Sequence, residues 1–230
     1  MVLMGLALAC AACSQEEAPA EKVAEAAQDI VTPTPEPAAT AKGKYAPQDT
    51  CGEVEGAELF RRQLAAAVEA RDADVLAALA AEDVKLDFGG GAGRDELRAR
   101  LGDKTRGLWA ELDALMALGC SANEQGGITI PWYFDQDMGT ADPVMGMLVM
   151  GEDVPVFAGP APDAAQRGAI SWEVVQIASL APDEARQQVE LPDGETGFVA
   201  TDKLRSLIDY RLIASSRNGR WRITSFLAGD

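Results

Sequence analysis

The 230-residue sequence contains no histidine. That absence removes imidazole general bases, histidine-ligated zinc and the serine or cysteine nucleophiles that rely on a histidine partner. Aromatic residues are scarce at 6%, and 20 Lys and Arg face 37 Asp and Glu. The formal net charge of −17 removes the basic face that a phosphate backbone needs, so nucleic acid is not an expected partner. No apolar run reaches the ~20 residues of a membrane-spanning helix. What is present suffices for a core: 47% of residues are hydrophobic and 25% charged, at a length that suits one large domain or two small ones.

Two of the four cysteines sit near the start. The apolar run VLMGLALA at 2–9 is followed by Cys10, Ala11, Ala12 and Cys13, and the chain turns polar at Ser14. An apolar stretch closing on small residues is the pattern of an export signal. With a cysteine at the junction, it resembles the lipobox of bacterial lipoproteins, whose cysteine is acylated and becomes the mature N-terminus. The resemblance implies a signal at 1–13, lipid on Cys13 and membrane attachment through that lipid. Ser14 resembles the context that sorts lipoproteins to the outer membrane, facing the periplasm. Cys10, preceded by Ala7, Leu8 and Ala9, is the alternative lipidation site. No Lys or Arg precedes the run, so a start assigned late or truncated is expected. The rival is a cytosolic protein with an apolar stub.

Residues 14–50 hold nine Ala, five Pro and ten charged residues in thirty-seven. Such a composition buries too little apolar surface to offset its ordering entropy. A disordered tether is expected there, about 35 Å as a coil and about 120 Å extended. Cys51 and Cys120 remain, and in an oxidising compartment they are expected to pair. The closed loop would stabilise by about 4 kcal/mol on the chain-entropy model. Two buried free thiols are the rival; a catalytic thiol has no histidine to activate it.

The remainder reads as three sections. In residues 51–142, Leu59, Phe60, Leu64, Ala67 and Val68 recur at helical spacing, and Val75, Leu76 and Leu79 mark a second short helix. Val84, Leu86 and Phe88 then alternate as a strand, and glycines at 89–93 break the chain. Residues 94–118 read as helix, divided near Gly102 and Gly107, and ITIPWYF at 128–134 reads as a strand. This order, with LAAAVEARDADVLAALAAEDVKLDFGG, resembles the opening of the nuclear-transport-factor-2-like cone, a superfamily that includes both enzymes and plain binding pockets.

In residues 143–200, VPVFAGPAP resembles the opening of bacterial Src-homology-3 domains. GAISWEVV at 168–175 stands where that family has its second strand, and Gly197-Phe198-Val199 where it has Gly-Trp-Val. Phe157 replaces the usual arginine, Phe198 replaces tryptophan, and 180–188 is charged. Residues 201–230 form the third section. Tyr210, Leu212 and Ala214 alternate before Asn218-Gly219, a strong hairpin signal, and Trp221, Ile223, Ser225 and Leu227 follow. This long hairpin resembles the closing strands of the cone. The expected fold class is therefore α+β: a nuclear-transport-factor-2-like cone combined with an inserted or tandem Src-homology-3-like β-barrel.

The chemistry is sparse. The glycine run precedes a helix start that could hold an anion, but it lacks phosphate-loop and dinucleotide spacing, so a turn is expected. Asp135, Asp137 and Asp142 are close together, yet Gly146 occupies the position of the bidentate glutamate in a calcium loop. No metal and no cofactor is expected. The leading expectation is a non-catalytic cell-envelope lipoprotein whose barrel binds a cell-wall (peptidoglycan) peptide or an envelope protein, with Phe157, Trp172 and Phe198 forming the barrel core or groove rim. The first alternative is a small-ligand pocket or weak enzyme in the cone, using Trp132, Tyr133 and an Asp87 of raised pKa as general base. The second is a structural envelope scaffold.

Overall fold

A computed structural model describes residues 42–229. Cys10, Cys13 and residues 14–41 lie outside the described residues. Helix α1 (Ala57–Glu69) buries Phe60, Leu64, Ala67 and Val68, whereas Leu59 is 55% exposed because it falls beyond the edge of that stripe. Helix α2 (Ala73–Leu79) starts at Asp72, whose carboxylate accepts from the amides of Asp74 and Val75 at 3.0 and 2.9 Å. It buries Leu76 and leaves Val75 exposed, then passes directly into strand β1 (Ala80–Lys85). Helices α3 (Arg94–Gly102) and α4 (Leu108–Met116) are separated by a 3-10 turn at Lys104–Arg106, which is the break expected between the two glycines. Strands β2 (Ser121–Ala122) and β3 (Ile128–Ile130) follow.

Beyond β3 the sequence expectation fails. Pro131 has no N–H to give a ladder, and Trp132–Asp135 form a 3-10 turn instead of continuing the strand. The chain then builds a second sheet. Its strands are β4 (Gly146–Val149), β5 (Val154–Phe157), β6 (Gln166–Ile170), β7 (Val174–Ile177), β8 (Arg186–Glu190), β9 (Thr196–Ala200) and β10 (Leu204–Ser206). The order is β10-β4-β7-β8-β9-β5-β6, antiparallel throughout. Strands β6 and β10 are its two edges, so the expected closed barrel is instead an open sheet. Closure would require β6 to bury a face, and its Gln166, Arg167, Gly168 and Ala169 are all exposed.

Strands β11 (Arg211–Arg217) and β12 (Arg220–Leu227) complete the first sheet, in the order β1-β12-β11-β3-β2 with only β1–β12 parallel. Asn218 and Gly219 join them at φ 54° and 72°, the left-handed pair that a tight hairpin turn needs. Because this hairpin pairs with β1 and β3, residues 146–206 are an insertion into the first sheet; the tandem arrangement is not observed. A register shift sets Ile213 opposite Ser225 but Ala214 opposite Ile223. The extra residue, Thr224, turns the strand, and Phe226 is buried where alternation alone placed Ser225.

Helices and first sheet enclose one core, with Leu64, Leu97, Leu112, Leu115, Ile128 and Leu212 fully buried. Met147, Val149, Val156, Val175, Val189 and Val199 form the core of the second sheet. A third cluster of Tyr45, Leu118, Trp132, Tyr133, Leu148 and Leu207 joins residues of both parts. Tyr45 shows that the folded unit begins before residue 50: its amide donates to the Trp172 carbonyl at 2.9 Å, and Cys120 donates to the Gln48 carbonyl at 2.8 Å. The tether expectation is therefore corrected over 42–50. Cys51 and Cys120 lie at disulfide-bonding distance, with Cα atoms 5.7 Å apart.

Candidate functional site

The residues expected to do chemistry in the helical part are engaged elsewhere. Asp87 follows β1 at the glycine turn, where its carboxylate meets Arg100 Nη2 at 2.5 Å and accepts from the Gly91 amide at 2.7 Å. Arg100 and these hydrogen bonds hold the carboxyl below its ordinary value. The expected general base needs the opposite shift, so the structure corrects that assignment. Tyr133 is 2% exposed, and its hydroxyl accepts from Arg205 Nε at 3.2 Å. Burial pushes the phenol upward despite that cation. Trp132 is buried in the cluster between the sheets. Asp87 and Tyr133 are thus each held by a different arginine, and Trp132 and Tyr133 belong to a cluster separate from the leucine-rich core of the helices and first sheet.

The second sheet pairs two of its expected aromatics. Phe157 on β5 and Phe198 on β9 are cross-strand partners. The Arg186 guanidinium lies 3.5 Å from the Phe157 ring centroid and donates to the Ala161 carbonyl at 2.6 Å. Trp172 lies apart from them. It holds φ 42° between β6 and β7, its amide donating to the Gly151 carbonyl and its carbonyl accepting from Tyr45, and it packs against the cluster to which Trp132 and Tyr133 belong. The three residues therefore form no common aromatic groove.

A groove of about 560 Å³ lies elsewhere on the same sheet. One wall is β6, which contributes the consecutive residues Arg167, Gly168, Ala169 and Ile170. Consecutive strand residues point to opposite faces, so the groove runs along the strand's edge. The other wall is the β8–β9 connection, with Leu191, Pro192, Asp193 and Glu195. Val156, Ile170, Leu191 and Pro192 supply apolar surface, while Glu173, Asp193 and Glu195 outnumber Arg167 among the charged groups. Arg167 is partly engaged: it donates to the Thr196 carbonyl at 3.2 Å and stands 3.9 Å from Glu195. Strand β6 pairs only with β5 among the described strands, so no strand covers its second edge, and its Gly168 carbonyl accepts from the Gln166 side-chain amide at 3.0 Å.

The remaining candidates resolve into turns. Leu86 donates to the Gly91 carbonyl at 2.9 Å and Gly93 to that of Val84 at 2.8 Å, so the glycine run is a closed turn. Asp137 accepts from the Gly139 amide, and Asp142 from those of Val144 and Met145. Asp49, Cys51 and Cys120 have metal-compatible spacing, but the two sulfurs are bonded to each other. No helix of the described residues is long and apolar enough to cross a membrane.

Sequence reading missed the groove and Arg205. The groove's signal is the small, polar run QRGA of β6, of which only Gly168 and Ala169 fall in the expected second barrel strand. Arg205 had no local signal, because Tyr133 and Glu111 are 72 and 94 residues away. No protein-family model, no curated protein and no solved structure matches this chain.

Proposed function

We propose that this protein is a non-catalytic cell-envelope lipoprotein that holds an extended, positively charged segment of an envelope protein along strand β6. In this reading Cys13 carries the lipid, attaching the chain to the outer membrane on its periplasmic side, and the Ala- and Pro-rich stretch after it spaces the folded unit from the membrane. The helical part is a nuclear-transport-factor-2-like cone filled by its own side chains. The second sheet is an opened variant of the Src-homology-3 barrel.

The observation that carries the reading is the groove beside an unpaired strand edge. An added strand gains affinity from backbone hydrogen bonds and specificity from alternate side chains. The three carboxylates on the groove select for positive charge. The engagement of Asp87 by Arg100 and of Tyr133 by Arg205 supports binding over catalysis. A cell-wall peptide is the other occupant, disfavoured because an anionic wall and an acidic chain repel at low salt.

The test is a calorimetric titration with short peptides that alternate valine with lysine or with glutamate. The lysine peptide should bind and the glutamate peptide should not. A Glu173→Lys, Glu195→Lys double variant that keeps its unfolding temperature should lose about tenfold in affinity. Equal binding of both peptides, or no effect of the double variant, contradicts the reading. Retention of the chain on purified peptidoglycan that the same variant abolishes would assign the groove to a wall peptide instead.

A further inference from the structure

The first sheet carries an unusual concentration of positive charge on the face opposite its helices. Arg217 and Arg220 are direct cross-strand partners at the end of the β11–β12 hairpin, and Arg222 is the partner of Ser215 one step further in. Strand alternation sends all four to the same face, while Leu212, Ala214, Trp221 and Ile223 point into the helix-covered core. With Thr224, Ala81 and Asp83 they line a cleft of about 170 Å³.

This arrangement runs against the rest of the molecule. The chain has a net charge of −17, and Arg61, Arg62, Arg71, Arg98, Arg100 and Arg205 each hold a carboxylate. Among the described residues, Arg217, Arg220 and Arg222 form no ion pair within 4.0 Å; the contact recorded for Arg222 is a 2.7 Å donation to the Trp221 carbonyl. Asp83 is the one carboxylate lining the cleft, against three guanidinium groups. Like charges directly opposite on a ladder destabilise it. A bound anion removes that repulsion, and planar guanidinium forks match the oxygens of phosphate in pairs. Ser215 and Thr224 line the same cleft, where the Thr224 hydroxyl donates to the Ile213 carbonyl at 3.1 Å. A volume well below the ~300 Å³ of small organic-ligand sites limits the occupant to one charged group.

We infer that Arg217, Arg220 and Arg222 form a binding site for a single phosphate-type oxyanion, supplied either by a free anion or by a phospholipid headgroup. The site lies on the first sheet and is separate from the β6 groove.

The test uses the full chain with Cys10→Ser and Cys13→Ser, so that no acyl group contributes to membrane attachment. Inorganic phosphate is titrated against the arginine side-chain and 215–224 backbone NMR signals, with chloride at equal ionic strength as control. Saturable shifts with phosphate alone are expected, together with a loss of about tenfold or more in affinity for Arg220→Gln, Arg222→Gln. Arg217→Gln alone should give a smaller loss; being exposed, it also guards against a double variant that fails to fold. Sedimentation with phosphatidylglycerol and phosphatidylcholine vesicles then identifies the source. Capture by the anionic vesicles that the double variant abolishes assigns a headgroup, and phosphate binding without capture assigns a free anion. Shifts that chloride reproduces, or that survive in both variants, overturn the inference.

Discussion

Arg205 donates from Nε to the Tyr133 hydroxyl 3.2 Å away, and so fastens the last strand of the inserted sheet to the turn that follows β3. Its side chain is 5% exposed, and the guanidinium also reaches Asp209 at 3.3 Å, Glu111 at 3.5 Å and the Tyr210 carbonyl at 3.1 Å. Four acceptors on three different stretches of chain converge on one cation.

Removing that cation strands its acceptors in a partly dry seam. Arg205→Met should destabilise the protein by about 2–3 kcal/mol, below the usual cost of breaking a fully buried pair because Glu111 and Asp209 keep roughly a third of their exposure. Urea unfolding measures this. In a double-mutant cycle, Tyr133→Phe and Arg205→Met should be clearly non-additive.

Two carboxylates should shape the pH dependence of stability in opposite ways. Burial and Asp209 push the Glu111 carboxyl upward, and Arg205 offsets only part of this. The folded state then holds the proton more tightly than the unfolded chain, so stability falls as pH rises from the ordinary glutamate value through the folded one. Glu111→Gln should abolish that decline. Asp87 is held below its ordinary value by Arg100 and the Gly91 amide. Its contribution is complete above the unfolded value and lost as pH falls through the folded one. Asp87→Asn should therefore lower neutral-pH stability and flatten the acid limb, measured as urea midpoints against pH.

The disulfide joins residues 69 apart, and both cysteines are fully buried. Replacing both by alanine should cost about 4 kcal/mol on the chain-entropy model. In the native protein, thiol labelling at these positions should require both unfolding and reductant.

Residues 42–50 test where the folded unit begins. Gly43 adopts φ 113°, and a methyl group there would collide with the Ser171 carbonyl. Gly43→Ala should release the Tyr45 amide from Trp172, seen as faster hydrogen exchange at Tyr45, while the first core stays protected.

What the sequence revealed was local. The periodicity around Phe60 and Leu64, the break between Gly102 and Gly107 and the Asn218-Gly219 turn each depend on neighbours within a few residues, and each stands in the structure. The long hairpin that closes the first sheet was legible for the same reason. Strand length after Ile130, the extra residue at Thr224 and the openness of the second sheet depend on distant partners, which no local pattern reports. Asp87 misled for that reason: its pairing with Arg100 across 13 residues reverses the shift that a base requires. The expected aromatic groove fails because Trp172 packs against the cluster that contains Tyr45, and its carbonyl accepts from the Tyr45 amide, within a segment whose composition predicts a tether.

Amide hydrogen exchange at Gln166–Ile170, with and without the valine–lysine peptide, tests the binding proposal most directly. Protection gained along β6 and at the Leu191–Glu195 connection, with Asp87 and the helices unchanged, is the predicted result. Binding that leaves β6 as exposed as before, or that protects the helical core instead, would contradict it.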